Sequence, residues 1–215
     1  MKKVYFITAT NTNIGKTYAS ELILKKFAKQ GKKVGYLKPI ETGVKDTPLD
    51  GTKLFKVVKK LNNRYKDFTI DQIVPYKFSL PAAPYVAKKD QKIKISKILY
   101  LIKYHLKFCD ILVVEGAGGL MVPIKKSYFM IDLISDISKK FHTKIVLISS
   151  SNLGNINETL LSINMLNQYN IKFKWYINLY KNKNSFKNIS LPFYKQYFKK
   201  IKYIEDKFRY TKRYK

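Results

Sequence analysis

Short apolar runs alternate along the chain with longer stretches whose apolar positions recur at helical spacing. The runs Val4 to Thr8, Lys33 to Lys38, Ile111 to Glu115, Lys144 to Ser149 and Phe173 to Asn178 are strand-sized and rich in Val, Ile and aromatic residues. That is the composition of parallel strands buried on both faces. Between them, Thr17 to Gln30, Asp50 to Leu61, Ser96 to Lys107, Tyr128 to Phe141 and Asn155 to Gln168 read as helices, the first stopped by Gly31. The alternation predicts an α/β fold, a mostly parallel sheet flanked by helices. In such sheets ligands sit outside the carboxyl ends of the strands, so the loops that follow the strands are where chemistry is expected.

The chain has 215 residues and no Pro/Gly/Ser-rich linker, which fits one domain over residues 1–215. At the amino end two lysines and a short apolar run give way at once to polar Thr8 to Asn13, so a strand is expected there and not a signal peptide. No apolar stretch approaches the roughly 18 residues that cross a bilayer. The one cysteine, Cys109, opens a very apolar strand, where a buried structural thiol is expected. Neither His105 nor His142 has a context that marks it as a base for that thiol. A reducing, cytoplasmic setting is consistent with this cysteine usage.

The net charge of +29 raises the question of a nucleic-acid or anionic-membrane binder. Forty of the 43 basic residues are lysine, scattered over the whole chain, which is also heavy in Ile, Asn, Tyr and Phe. That pattern suits the codon bias of an AT-rich genome, and lysine lacks the planar fork with which arginine reads bases and phosphates. No specific nucleic acid is therefore expected as a partner. The tail from Lys172 carries 14 Lys/Arg against Glu205 and Asp206, with aromatics interleaved from Phe193 to Phe198. It reads as an amphipathic closing helix packed on the sheet, with an RNA- or membrane-binding segment as the alternative.

Candidate chemistry begins at Thr10-Asn11-Thr12-Asn13-Ile14-Gly15-Lys16-Thr17, between the first strand and the first helix. Amides at a helix start point at phosphate, Lys16 can reach β and γ oxygens, and the Thr17 hydroxyl suits Mg²⁺. The usual first glycine is missing: Thr10 stands at its position. Lys38-Pro39-Ile40-Glu41-Thr42-Gly43 leaves the second strand at its carboxyl end and brings a second cation to the same cleft. Glu115 ends an apolar strand ahead of Gly116-Ala117-Gly118-Gly119, as a metal-ligating acid or as a cap for the next element. Asp50, at the start of its helix, reads either as a metal ligand or as an ordinary N-cap.

Four segments, residues 9–17, 38–43, 114–119 and Leu153-Gly154-Asn155-Ile156-Asn157, resemble the successive motifs of the dethiobiotin synthetases, in order and at fitting separations. The resemblance spans about residues 1–178. It implies a P-loop enzyme that uses ATP and Mg²⁺ to join CO₂ to 7,8-diaminononanoate, through a carbamate and a carbamic-phosphoric anhydride. It further implies ATP-binding by Asn13, Ile14, Gly15, Lys16, Thr17, Tyr18, Glu115 and Asn178, the last reading the adenine edge. Thr17, Asp50 and Glu115 would hold Mg²⁺, and Lys16, Lys38 and Thr42 would be catalytic. Thr42, Pro84, Gly118, Gly154, Asn155 and Asn157 would contact the diamine substrate, whose carboxylate lies on a helix start across a homodimer interface. On the residues alone, an N-cap by Asn155 is the alternative.

The chain departs from the family where Glu158 replaces a common histidine, at Asn13, where some members carry an acid, and beyond Lys181, where the base-binding elements do not align. Another P-loop amide-forming or partitioning ATPase is the alternative enzyme, but the extra early lysine of the partitioning P-loops is absent from Thr10-Asn11-Thr12.

Overall fold

The computed structural model describes residues 2–179 and 183–208. From its amino end the chain runs through β1 (Lys3–Ala9), α1 (Lys16–Lys29), β2 (Val34–Leu37), β3 (Ile40–Thr42), α2 (Leu49–Leu61), α3 (Ile70–Ile73), β4 (Tyr76–Phe78) and α4 (Pro84–Ala87). It continues through α5 (Ile95–His105), β5 (Ile111–Glu115), β6 (Pro123–Lys125), β7 (Tyr128–Phe129), α6 (Met130–Lys140), β8 (Thr143–Ser149), α7 (Asn155–Gln168) and β9 (Phe173–Ile177).

Five of these strands form a parallel sheet in the order β2-β5-β1-β8-β9. Every residue of β5 is buried, which is why its sequence is a continuous apolar run and not an alternation. Ile7 of β1 lies opposite Glu115 of β5 on one side and Val146 of β8 on the other. Connections therefore leave the central strand in both directions. The crevice so opened at the carboxyl ends receives the loops after β1, β2 and β5, the place where an open α/β sheet binds its ligand.

The expected strands and long helices are present with shifted ends, and each larger shift has a local cause. The helix expected from Tyr128 begins at Met130, because Tyr128 and Phe129 pair with Lys125 and Pro123 and the Asp132 carboxylate accepts the Phe129 amide at 2.7 Å. β3 and β4, a short parallel pair beside the main sheet, are additional to the expected elements.

The tail does not form one closing helix. It breaks into α8 (Lys183–Ser185), a π-helical turn over Phe186–Ser190, α9 (Leu191–Tyr197) and α10 (Ile204–Phe208). Pro192 sits in the first turn of α9, where its missing N–H costs no helical bond, and it cannot extend the preceding turn. The aromatics do pack on the sheet: Trp175 of β9 lies 4.6 Å from the Phe198 ring and 5.4 Å from that of Tyr194. The Ile177 amide donates to the Lys202 carbonyl at 2.9 Å, so the tail also covers the free edge of β9. Residues 180–182 and 209–215 of the tail lie outside the described residues.

Cys109 is buried behind β2, as expected. The Gln72 carbonyl accepts from His105 Nε2 at 3.0 Å, which leaves Nδ1 as the acceptor for the Tyr65 hydroxyl at 2.9 Å. Burial pushes His105 down to about 4 and the Cys109 thiol up to about 12, so both stay neutral at pH 7. This cluster is packing. No helix among the described residues is long and apolar enough to cross a membrane.

Candidate active site

The loop after β1 is drawn into the crevice by the Thr10 amide, which donates to the Ile148 carbonyl at 2.9 Å. Asn13 and Gly15 both have positive φ, 58° and 100°. At Gly15 the glycine is required twice, by that angle and by space, since a Cβ would stand 2.2 Å from Asn178 Nδ2. Gly15 is also the N-cap of α1. It offers no side chain to cap the helix, and no acid stands in the first turn. The amides and the positive dipole end of α1 are thus left for an anion.

Lys16 folds back over the loop and donates to the Asn11 carbonyl at 2.9 Å. Burial and the nearby Lys38 ammonium lower Lys16 to about 8, against the opposing pull of Glu115 and Asp50.

Glu115 is the hub of the site. One carboxylate oxygen accepts from Thr17 at 2.9 Å and from Lys38 at 2.7 Å; the other accepts from Ser20 at 2.9 Å and Tyr36 at 3.1 Å. Lys38 bonds also to Asp50 at 3.0 Å. Burial works against the Lys38 charge, but the two carboxylates outweigh it and hold its pKa above the ordinary lysine value. Burial likewise pushes Asp50 up, and Lys38 and Thr17 hold it below the usual carboxylate range.

Asp50 is not an N-cap. α2 starts at Leu49 after Pro48, whose side chain caps nothing, and the cap comes from β3: the Glu41 carboxylate accepts the Asp50 amide at 3.0 Å and the Gly51 amide at 2.9 Å. Asp50 is thereby freed to face Lys38. Sequence reading missed Glu41; the signal was a helix opening on proline with no side-chain cap of its own, which requires one from elsewhere.

Of the eight expected nucleotide residues, Asn13, Ile14, Gly15, Tyr18 and Asn178 line one cavity of about 320 Å³ beside the loop, with Ser150, Ser151 and Lys53, whereas Lys16, Thr17 and Glu115 do not line it. Asn178 Nδ2 donates to the Ile14 carbonyl at 2.9 Å, so its side chain holds the loop from the β9 side. The turn after β5 lies against the same loop: a Cβ on Gly119 would stand 2.9 Å from the Thr10 carbonyl oxygen. Gly118, next to it, has φ 66°. Thr42 ends β3, and Pro84 opens α4, which packs against both β3 and β6.

At the start of α7, Gly154 is the N-cap, with φ 88°, and Asn157 is exposed. Asn155 serves the tail: it is buried, donates to the Asn152 carbonyl at 2.6 Å and Ser190 at 3.1 Å, and accepts from the Tyr194 hydroxyl at 2.9 Å. Its side chain is neither an N-cap nor open to a ligand in this arrangement.

A P-loop at a helix start, two buried lysines and a strand-end acid in one crevice define a site for phosphate chemistry, and comparison with known proteins decides which. A family model described as an AAA domain matches residues 3–190. The "ATP-dependent dethiobiotin synthetase BioD" of Sulfurovum sp. (strain NBC37-1) is 47% identical, over 88% of this chain and 88% of its own. The enzyme of the same name from Wolinella succinogenes is 37% identical, over 90% and 89%.

The chain belongs to the dethiobiotin synthetase family.

Solved structures similar in backbone include the MinD cell division protein of Aquifex aeolicus, 18% identical, with a TM-score of 0.48 over 86% of this chain and 73% of that one. A plasmid partition protein from Borrelia burgdorferi B31 bound to AMPPNP is 12% identical, with a TM-score of 0.49 over 93% and 84%. Within the dethiobiotin synthetase family, the expected donors for Mg²⁺ can be tested against the residues present. Asp50 and Glu115 place two carboxylates on one buried cation, Lys38 Nζ, and Thr17 adds a hydroxyl on Glu115, a set of hard oxygens that suits Mg²⁺. Among the described residues no three His, Cys, Asp or Glu side chains gather. A divalent ion here would depend on Thr17 and on nucleotide phosphate oxygens, as is common for Mg²⁺.

Proposed function

We propose that this chain, as one ATP-dependent ligase domain, joins CO₂ to 7,8-diaminononanoate and closes the ureido ring of dethiobiotin. The observation that carries this reading is the bridge of Lys38 between Glu115 and Asp50, with Thr17 on the same Glu115 oxygen, at the mouth of a P-loop. Such a constellation suits a reaction whose demands are mainly electrostatic.

A substrate amine takes up CO₂ as a carbamate. A carbamate oxygen attacks the γ-phosphorus and ADP leaves; the second amine then attacks the carbonyl carbon and phosphate leaves. Lys16, freed from the Asn11 carbonyl, neutralises the β and γ oxygens together with the α1 amides. Lys38 is held charged by its two carboxylates at the place where the carbamate and the phosphoryl group meet. Thr42, at the end of β3, bonds to the reacting nitrogens. Mg²⁺ held by Thr17, Asp50 and Glu115 would spread the charge of the β and γ oxygens.

Cytoplasmic localisation and a homodimer belong to the same reading. Leu153, 83% exposed in the loop before α7, and Leu161, 61% exposed on α7, support an interface there, with the substrate carboxylate on the amides that follow Gly154. The test is phosphate release from Mg-ATP and bicarbonate, with and without 7,8-diaminononanoate. Release that requires the diamine supports the reading; release indifferent to it overturns it.

A further inference from the structure

Glu158, in the first turn of α7, reaches across to the loop after β1. One carboxylate oxygen accepts from Asn11 Nδ2 at 2.9 Å and the other from Thr10 Oγ1 at 3.2 Å. Asn11 is the residue whose carbonyl holds the Lys16 ammonium at 2.9 Å, and its own side-chain oxygen accepts the Thr12 amide at 2.8 Å. All three polar groups of Asn11 beyond its amide are therefore engaged, and the one that fixes its side chain from outside the loop is Glu158.

The platform behind Glu158 is itself fixed. The Tyr194 hydroxyl binds Asn155 at 2.9 Å and Thr159 at 3.0 Å, and Ser190 binds Asn155 at 3.1 Å, so the tail clamps the turn on which Glu158 stands. A bare carboxylate beside a phosphate loop repels the triphosphate, which sets a cost on Glu158 unless it does something for the loop. Two charge-assisted hydrogen bonds to the loop rim are what it does.

We propose that Glu158 is a positioning residue for the phosphate-binding loop, setting through Asn11 the peptide from which Lys16 is delivered to the nucleotide. The contribution is to ground-state and transition-state binding alike, so it falls on KM for ATP and not on kcat. The glutamine variant keeps an acceptor for Asn11 Nδ2, whereas alanine keeps none.

The test uses the full chain and steady-state kinetics with Mg-ATP varied at saturating diamine and bicarbonate. Glu158→Ala is expected to raise KM for ATP about tenfold with kcat changed less than about twofold, and Glu158→Gln to stay within about threefold of the parent. Asn11→Ala, which changes an exposed side chain, is expected to raise KM as Glu158→Ala does, and the double variant to be no worse than either single. The proposal is overturned if KM is unchanged in either alanine variant, if the two effects multiply, or if kcat falls with KM intact. Should Glu158→Ala fail to fold, Asn11→Ala and Glu158→Gln carry the same decision.

Discussion

Lys38 Nζ lies 2.7 Å from Glu115 Oε1, and both side chains are almost wholly out of water. Two opposite charges so placed stabilise one another only as a pair. Replacing Lys38 by methionine leaves the buried Glu115 with only hydroxyl partners. The expected result is a loss of about 10²- to 10³-fold in turnover with a destabilisation of about 3–5 kcal/mol, read from urea unfolding. An unchanged unfolding midpoint would contradict the pairing.

Burial and the neighbouring Lys38 charge pull Lys16 down to about 8. A cation whose folded pKa is depressed binds fewer protons than the unfolded chain between that value and the ordinary 10.5, so its contribution to folding stability improves as pH rises through that window. Nucleotide binding works the other way, because triphosphate favours the charged ammonium. Calorimetry of Mg-ATP binding in buffers of different ionisation enthalpy should therefore show net proton uptake at mildly alkaline pH that fades as the pH is lowered. Lys16→Met should abolish that uptake along with activity while the fold survives.

Glu41 caps α2 through two backbone amides and so aims Asp50 at Lys38. Glu41→Ala is expected to cost about 1–2 kcal/mol of stability and to raise the Mg²⁺ concentration needed for half-maximal activity. Glu41→Gln should recover part of both. A stability loss with an unmoved Mg²⁺ dependence would separate the cap from the placing of Asp50.

Tyr194→Phe keeps the ring against Trp175 but leaves Asn155 Oδ1 and Thr159 without their hydroxyl partner. A loss of about 1–3 kcal/mol is expected from denaturant unfolding. No loss would show that the Tyr194 hydroxyl bonds to Asn155 and Thr159 do not hold the tail to α7.

Much of the site was legible in the sequence, for physical reasons. Lys38 and Glu115 stand at the carboxyl ends of apolar strands and Lys16 opens the helix after the first strand, and strand ends in such sheets converge on one crevice. Glu41, Glu158 and Asn155 were not legible in these roles. Each acts through a hydrogen bond to a residue set by folding and not by spacing: Glu158, on the helix after β8, meets Asn11 in the loop after the adjoining β1, and Asn155 meets Tyr194 in the tail. β3 and β4 escaped because three-residue strands carry no period to read. The tail misled because its aromatic spacing matches a helix, while Pro192 and the edge of β9 divide it into shorter pieces.

The most direct test supplies isotopically labelled bicarbonate, Mg-ATP and 7,8-diaminononanoate to the purified chain and follows the product by mass spectrometry. Dethiobiotin carrying the label in its ureido carbonyl, formed one for one with ADP and lost in Lys38→Met, is the expected result. ATP hydrolysis with no labelled ring product would contradict the assignment of this site to ureido ring closure.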